Sequence, residues 1–260
     1  KKKNKINVDK LDDANWAGTS KSDQTILILT EGDSAKTMAI SGLSVVGRNE
    51  YGVFPLRGKV LNVKEASLKQ MNENNELNNL IKIIGLEHQK EYENTNSLRY
   101  GKIMIMTDQD HDGSHIKALI ILIFETLWPS LLKLNYITSM ITPIVKVSKG
   151  NIVHSFYTLK EYNDWKSNTS NSNKWNVKYY KGLGTSTSNE AKEYFKNINC
   201  IQYNYNENTE EKINLAFKKD LADERKKWLY KYDENLILDN IQSSVGIDEF
   251  IDKELIHFSN

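Results

Sequence analysis

The sequence predicts an α/β fold: a parallel sheet flanked by helices, followed by a smaller α+β extension. Three observations carry that reading. Strand-length apolar runs alternate with helical patterns in the order β, α, β, α, which requires crossover connections and hence a parallel sheet covered on both faces. Two of the runs, Thr25-Ile-Leu-Ile-Leu-Thr30 and Lys102-Ile-Met-Ile-Met-Thr107, end abruptly in carboxylates followed by small residues and a helical pattern. After Pro143 the texture shifts to short strands with Gly- and Asn-rich connections. The expected boundaries are an extended lead-in over 1–24, the parallel-sheet domain over 25–142 and the extension over 143–260.

Residues 1–23 are polar and read as extended chain. A strand over 25–30 meets a tight turn at Gly32 and a short helix over 34–41, which Asp33 or Ser34 can cap. A flexible connection over 42–47 leads to a strand over 51–56 and the basic loop Arg57-Gly-Lys-Val-Leu-Asn62. Residues 64–84 form one helical pattern with Leu77, Leu80, Ile81 and Ile84 on one face and Gly85 as the stop. Polar residues 87–98 read as a surface loop before the strand over 103–107. An apolar helix over 115–128 then ends at Pro129.

In the extension, strands over 144–147 and 152–157 flank a Lys149-Gly-Asn151 turn, and a helix over 158–165 runs into an Asn/Ser-rich linker at 167–173. A strand over 175–180 precedes the loop Lys181-Gly-Leu-Gly-Thr185, and Thr187-Ser-Asn-Glu190 is a capping box opening a helix to about residue 195. Charged helices follow over 209–231, with a last helix over 248–257. Tyr157, Trp165, Trp175, Tyr179 and Tyr180 read as a second core rather than a base-stacking surface.

Composition bounds the function only loosely. Thirty-five Lys and Arg against 34 Asp and Glu leave a net charge of +1, which does not announce a nucleic-acid binder. Cys200 is the one cysteine, so an internal disulfide and a cysteine zinc site are excluded and a reducing compartment fits. No run approaches the roughly 20 apolar residues that span a bilayer, so no membrane role is expected. The basic start Lys1-Lys-Lys-Asn-Lys-Ile6 is followed by no apolar signal core, which leaves secretion unsupported.

The carboxylates say more. If the strands ending at Glu31 and Asp108 are parallel neighbours, their C-terminal tips lie side by side, where open α/β sheets place ligands. Glu31, Asp108 and Asp110 then share an acidic pocket that repels itself unless a divalent cation neutralises it, and hard oxygen donors favour Mg²⁺. In extended backbone Asp108 and Asp110 face one side, while Asp112 supports the helix start and ranks as a weaker ligand. A calcium EF-hand loop is the rival template. It fails because its twelfth position, counted from Asp108, is Leu119 rather than Glu, and no helix precedes it. His111 and His115 invite a transition metal, but an oxygen-rich site needs no imidazole; His115 is a weaker candidate for touching phosphate or bonding Asp112. No Gly-x-x-x-x-Gly-Lys-Ser/Thr motif is present, so this chain is not expected to bind ATP.

Six ordered motifs carry a resemblance. Glu31-Gly-Asp-Ser-Ala35, Pro55-Leu-Arg-Gly-Lys-Val-Leu-Asn-Val-Lys-Glu-Ala-Ser67 and Asp108-Gln-Asp-His-Asp-Gly-Ser-His115 come first. Ile141-Thr-Pro-Ile144, Lys178-Tyr-Tyr-Lys-Gly-Leu-Gly-Thr185 and Asp248-Glu-Phe-Ile-Asp-Lys-Glu-Leu255 follow. Together they resemble the Toprim domain and C-terminal extension of type IIA DNA topoisomerases, in the eukaryotic rather than the gyrase form. Departures fall in Asn- and Lys-rich stretches such as 72–79, 87–97 and 167–174.

The resemblance implies a Rossmann-like Toprim sheet and a nuclear, ATP-dependent enzyme that cleaves, passes and religates double-stranded DNA. It makes Glu31, Asp108 and Asp110 the Mg²⁺ ligands, with Mn²⁺ as a substitute, and gives Glu31 a proton-shuttling role. Lys59 and Asn62, and Arg225 and Lys226, match two DNA-contacting regions, and Lys181 is suited to reach a phosphate; for Arg225 and Lys226 a solvated helix face is an equal alternative. The nucleophilic tyrosine of the family lies in a winged-helix domain, and no tyrosine here falls in a matching segment. The expectation is therefore a fragment of a homodimeric enzyme, working with winged-helix and ATPase domains of the same full-length protein and inactive alone. Two alternatives are a freestanding Toprim nuclease or primase-like enzyme and a non-catalytic DNA-binding module.

Overall fold

The computed structural model describes residues 5–238 and 242–259. In chain order the first half contains β1 (Ile26–Glu31), α1 (Gly32–Val46), β2 (Tyr51–Leu56), α2 (Leu68–Glu73), α3 (Asn75–Ile84), β3 (Lys102–Met106), α4 (His111–Leu127), α5 (Pro129–Leu132) and β4 (Ile137–Met140). The second half contains β5 (Val145–Lys149), β6 (Ile152–Phe156), α6 (Leu159–Asn168), β7 (Asn176–Tyr179), α7 (Ser188–Lys196), β8 (Cys200–Asn204), α8 (Thr209–Phe217), α9 (Ala222–Leu229), β9 (Ser244–Gly246), α10 (Ile247–Phe250), a π-helical turn (Ile251–Leu255) and α11 (Ile256–Ser259).

The main sheet runs β2-β1-β3-β4-β8-β9. Its first four strands are parallel, as the βα alternation requires, and β8 pairs antiparallel to β4. Side chains alternate across it with the two-residue period of a strand. Leu27, Leu29, Ile103 and Ile105 face a core shared with α3 and α4, while Ile28, Met104 and Met106 face α1 and α7. Both faces are thus apolar, which is why β1 and β3 read as unbroken hydrophobic runs. The small antiparallel sheet β6-β5-β7 closes with α6 over Val145, Val147, Phe156 and Tyr162, with Trp165 and Trp175 packed at its edge.

Several expectations change. The first helix runs on to Val46 instead of stopping at residue 41, because the Phe195 ring of α7 lies against Gly42: a Cβ there would come within 2.1 Å of it. What reads as a flexible glycine is a helix–helix contact. The single helix over 64–84 is two, split at Asn74; Ser67 and Gln70 form a capping box on α2, and Asn74 caps α3 through the Leu77 N–H. The strands β4, β8 and β9 were not anticipated, and two of them bring the extension into the main sheet. Of the expected second core, Trp165 and Trp175 pack there, whereas Tyr179 is exposed and Tyr157 joins the main core.

The lead-in is anchored rather than merely extended. The Asp12 N–H bonds the carbonyl of Val53 at 2.9 Å, and Ala14 and Ala17 are buried. The Asp13 carboxylate accepts from the Tyr100 hydroxyl and from Arg99, both at 2.6 Å.

Candidate functional site

Strands β1 and β3 are hydrogen-bonded in register, Thr30 opposite Met106, so their C-terminal tips leave the sheet together. Glu31 is the last residue of β1, and Asp108 stands two residues past β3. The backbone N–H of Asp108 donates to Oε2 of Glu31 at 3.3 Å, joining the two acidic segments as expected from sequence. Burial pushes the Glu31 carboxyl above its usual range; the Asp108 N–H opposes this, and the charges of Asp108, Asp110 and Asp112 reinforce it.

Asp108 faces the extension. Its Oδ1 accepts the Leu183 N–H at 2.7 Å, and its carboxylate lies directly against Gly182. Asp110 caps α4: its backbone is extended, with φ −132°, and its Oδ1 accepts the Gly113 N–H at 2.7 Å. This corrects the sequence reading, which gave the support of the helix start to Asp112. The reason is that α4 begins at His111, four residues ahead of the expected start, so the capping position falls on Asp110. Asp112 lies in the first turn, exposed, 2.9 Å from the Lys59 ammonium, whose hydrogen bond holds its carboxyl below the usual range.

Among the described residues no group of three His, Cys, Asp or Glu side chains forms a ready-made metal cage. The donors at the strand tips are nevertheless all carboxylate oxygens, the set suited to a hard cation. Glu31 and Asp108 fit that role by position. Asp110 can add the oxygen not engaged in the helix cap.

The candidate DNA contacts divide. Lys59 extends from the loop after β2, paired with Asp112 and 4.7 Å from the Phe258 ring centroid. Asn62 shapes that loop, its Oδ1 accepting the Lys64 N–H at 3.1 Å. Lys181 is exposed beside Gly182, close in sequence to the Asp108 contact. Arg225 instead turns inward: its Nε donates to the Leu215 carbonyl at 3.0 Å and its Nη2 to that of Lys218, closing the end of α8. Lys226 pairs with Asp223 at 3.0 Å, and both are exposed. Lys226 thus lies on a solvated helix face, whereas Arg225 spends its guanidinium on backbone carbonyls of its own chain.

His115 stacks on Phe258 with ring centroids 4.0 Å apart, and its Nδ1 is buried without a hydrogen-bond partner. Burial first, and then the Lys59 charge, push its pKa down, which favours the neutral ring.

Sequence reasoning missed the support behind Asp110. Glu254 accepts from both Lys117, at 2.5 Å, and Ser114, at 2.7 Å, and thereby ties the π-helical turn to α4. A clue existed: Lys117 is a lone cation within an otherwise apolar stretch of helix, and a buried charge needs a partner. A cleft of about 300 Å³ opens beside this pair, lined by Asp110, Tyr203 and His257 among others.

Comparisons with known proteins converge on this architecture. Residues 26–140 match the family model of the Toprim domain, and residues 140–260 that of the C-terminal associated domain of Toprim. DNA topoisomerase 2-alpha of Mus musculus and that of Homo sapiens are each 54% identical over 271 residues, covering 97% of this chain and 18% of the relative. The mitochondrial DNA topoisomerase 2 of Dictyostelium discoideum is 48% identical over 260 residues, covering 97% of this chain and 20% of its own. The crystal structure of the Plasmodium falciparum topoisomerase II DNA-binding, cleavage and re-ligation domain superposes with a TM-score of 0.95 at 46% identity, covering 99% of this chain and 36% of that one. The chain therefore spans about a fifth of the length of the curated relatives it matches.

Proposed function

The chain belongs to the Toprim family, in the form carried by type II DNA topoisomerases, and on that premise we propose that it is the cation-binding part of a DNA cleavage and religation centre. The observation that carries the proposal is the contact between the two strand tips, the Asp108 N–H on the Glu31 carboxylate at 3.3 Å. Held by Glu31 and Asp108 with Asp110 beside them, Mg²⁺, or Mn²⁺ in its place, would polarise a phosphate oxygen and offset charge on the departing 3′-oxygen.

The chain's own groups do the rest. Burial moves Glu31 toward its neutral form, the direction required of a carboxyl that delivers a proton to the 3′-oxygen in cleavage and recovers it in resealing. Lys59, Asn62 and Lys181 contact backbone phosphates of double-stranded DNA, giving binding that depends on salt and little on sequence. Lys226 can leave its exposed pair with Asp223 at small cost and join them. Arg225 is the weaker member of the set, since reaching DNA means vacating two carbonyls.

The attacking tyrosine, ATP hydrolysis and the homodimer belong, in this reading, to the full-length protein, with a winged-helix domain supplying the tyrosine and an ATPase domain binding ATP. The nucleus is the proposed compartment. Mn²⁺ titration of the 260-residue chain, followed by electron paramagnetic resonance, tests the core of the proposal. Saturable binding that is lost in Glu31→Gln and in Asp108→Asn supports it; binding unchanged by both substitutions refutes it. Relaxation of supercoiled DNA by the chain alone would contradict the division of labour.

A further inference from the structure

The loop 181–185 lies between two fixed points. On one side Tyr180, at the end of the small sheet, donates its hydroxyl to Oε1 of Glu190. On the other, Thr187 and Glu190 form the capping box of α7, with the Glu190 N–H on Thr187 Oγ1 at 3.2 Å and the Thr187 N–H on Glu190 Oε2 at 2.7 Å. Glu190 thus holds both flanks of the loop, and α7 in turn packs on α1 through Phe195 and Gly42. Leu183, inside the loop, is buried in the core formed with α1. The loop is a braced element of the extension, aimed at the strand tips.

What it presents there is a backbone surface. The Leu183 N–H reaches Oδ1 of Asp108 at 2.7 Å, a charge-assisted hydrogen bond within the strong range. Beside it, a Cβ on Gly182 would meet Oδ2 of Asp108 at 2.7 Å and its Oδ1 and Cγ at 3.0 Å. Gly182 has extended backbone, with φ −172°, which any residue adopts, so backbone conformation does not explain the glycine. The neighbouring carboxylate does. Gly184, two residues on, supplies an internal contrast: a Cβ there meets nothing within 4 Å.

We infer that loop 181–185 is the positioning element for Asp108, holding its carboxylate against Gly182 and on the Leu183 N–H so that it is oriented before a cation arrives. The inference rests on the reading of Asp108 as a cation ligand. Outer partners of this kind fix ligand orientation, and losing them commonly costs about 10–100-fold in metal affinity.

The test compares Gly182→Ala with Gly184→Ala in the full chain, alone and combined with Asp108→Ala. Mn²⁺ affinity should fall at least about tenfold in Gly182→Ala and stay unchanged in Gly184→Ala. Thermal unfolding supplies a readout that needs no metal. Gly182→Ala should lower the melting temperature when Asp108 is present and have little effect once Asp108→Ala has removed the carboxylate. A Gly182→Ala chain that fails to fold but is rescued by Asp108→Ala supports the inference equally. Equal melting losses in both backgrounds, or Mn²⁺ affinity the same in the two glycine variants, overturn it. Absence of Mn²⁺ binding by the unaltered chain overturns the cation role itself, and the melting comparison then decides whether the contact is structural alone.

Discussion

The ammonium of Lys117 lies 2.5 Å from Oε1 of Glu254, and this pair joins the start of α4 to the π-helical turn near its C-terminal neighbour α11. Lys117 is 4% exposed; burial works against its charge, yet Glu254 outweighs burial and holds its pKa above the usual lysine range. Removing one member of such a pair leaves an uncompensated buried charge, at about 3–5 kcal/mol. Glu254→Gln should therefore destabilise by about 3 kcal/mol in urea unfolding. Lys117→Met should cost less, since the Glu254 side chain is 21% exposed and keeps its bond from Ser114. Equal losses for the two variants would mean that the buried cation is not what the pair protects.

Asp110 carries two assignments that substitution separates. As the cap of α4 it needs an oxygen acceptor; as a cation ligand it needs a charge. Asparagine caps about as well as aspartate, whereas alanine costs about 1 kcal/mol. Asp110→Asn should therefore keep the melting temperature and weaken Mn²⁺ binding, and Asp110→Ala should lower both. If Asp110→Asn binds Mn²⁺ as the unaltered chain does, Asp110 is a cap only and Glu31 and Asp108 carry the cation.

The parts of this site legible in sequence are those specified locally. Apolar runs ending in acids located β1 and β3, and parallel order placed Glu31 beside Asp108, because strand periodicity and crossover rules act on neighbouring residues. The exchange of roles between Asp110 and Asp112 was hidden by a four-residue error in the helix start, which is the least determined feature of any helical pattern. The Asp108–Leu183 bond spans 75 residues and uses a backbone N–H, so no side-chain pattern announces it. Strand β8 escaped notice for the same reason: its pairing with β4, Met140 opposite Cys200, is set by tertiary contact. Lys181-Gly-Leu-Gly-Thr185 reads in sequence as a loop between a strand and a helix, whereas its first glycine answers to a carboxylate on another element.

Glu190 should make the brace around that loop pH-dependent. Burial tends to raise its carboxyl, but the Tyr180 hydroxyl, the Thr187 N–H and Lys178 overcome this and bring it from 4.5 down to about 2. A carboxyl lowered by folding contributes stability that is complete above its unfolded value and lost as pH falls through the folded one. The contribution is on the order of 3 kcal/mol at neutral pH. The melting-temperature gap between the unaltered chain and Glu190→Gln should thus be widest at pH 7 and close between about pH 4.5 and 2. A gap that stays constant over that window would assign Glu190 an uncharged structural role.

The basic residues near the strand tips and those on α9 should respond differently to alanine. Each phosphate contact releases condensed counterions, so its removal lowers the dependence of log affinity on log salt by about one. On a short DNA duplex Lys181→Ala should show that change in full and Lys59→Ala a part of it, because the Lys59 charge is already shared with Asp112 at 2.9 Å. Arg225→Ala should leave the salt slope alone and instead lower the melting temperature, since the carbonyls of Leu215 and Lys218 lose their donor. A net loss of about 1–3 kcal/mol is expected for two hydrogen bonds from a charged group at a partly exposed site. If Arg225→Ala reduces the salt slope without touching stability, its guanidinium swings away from α8 to meet DNA, and the second contact region is real.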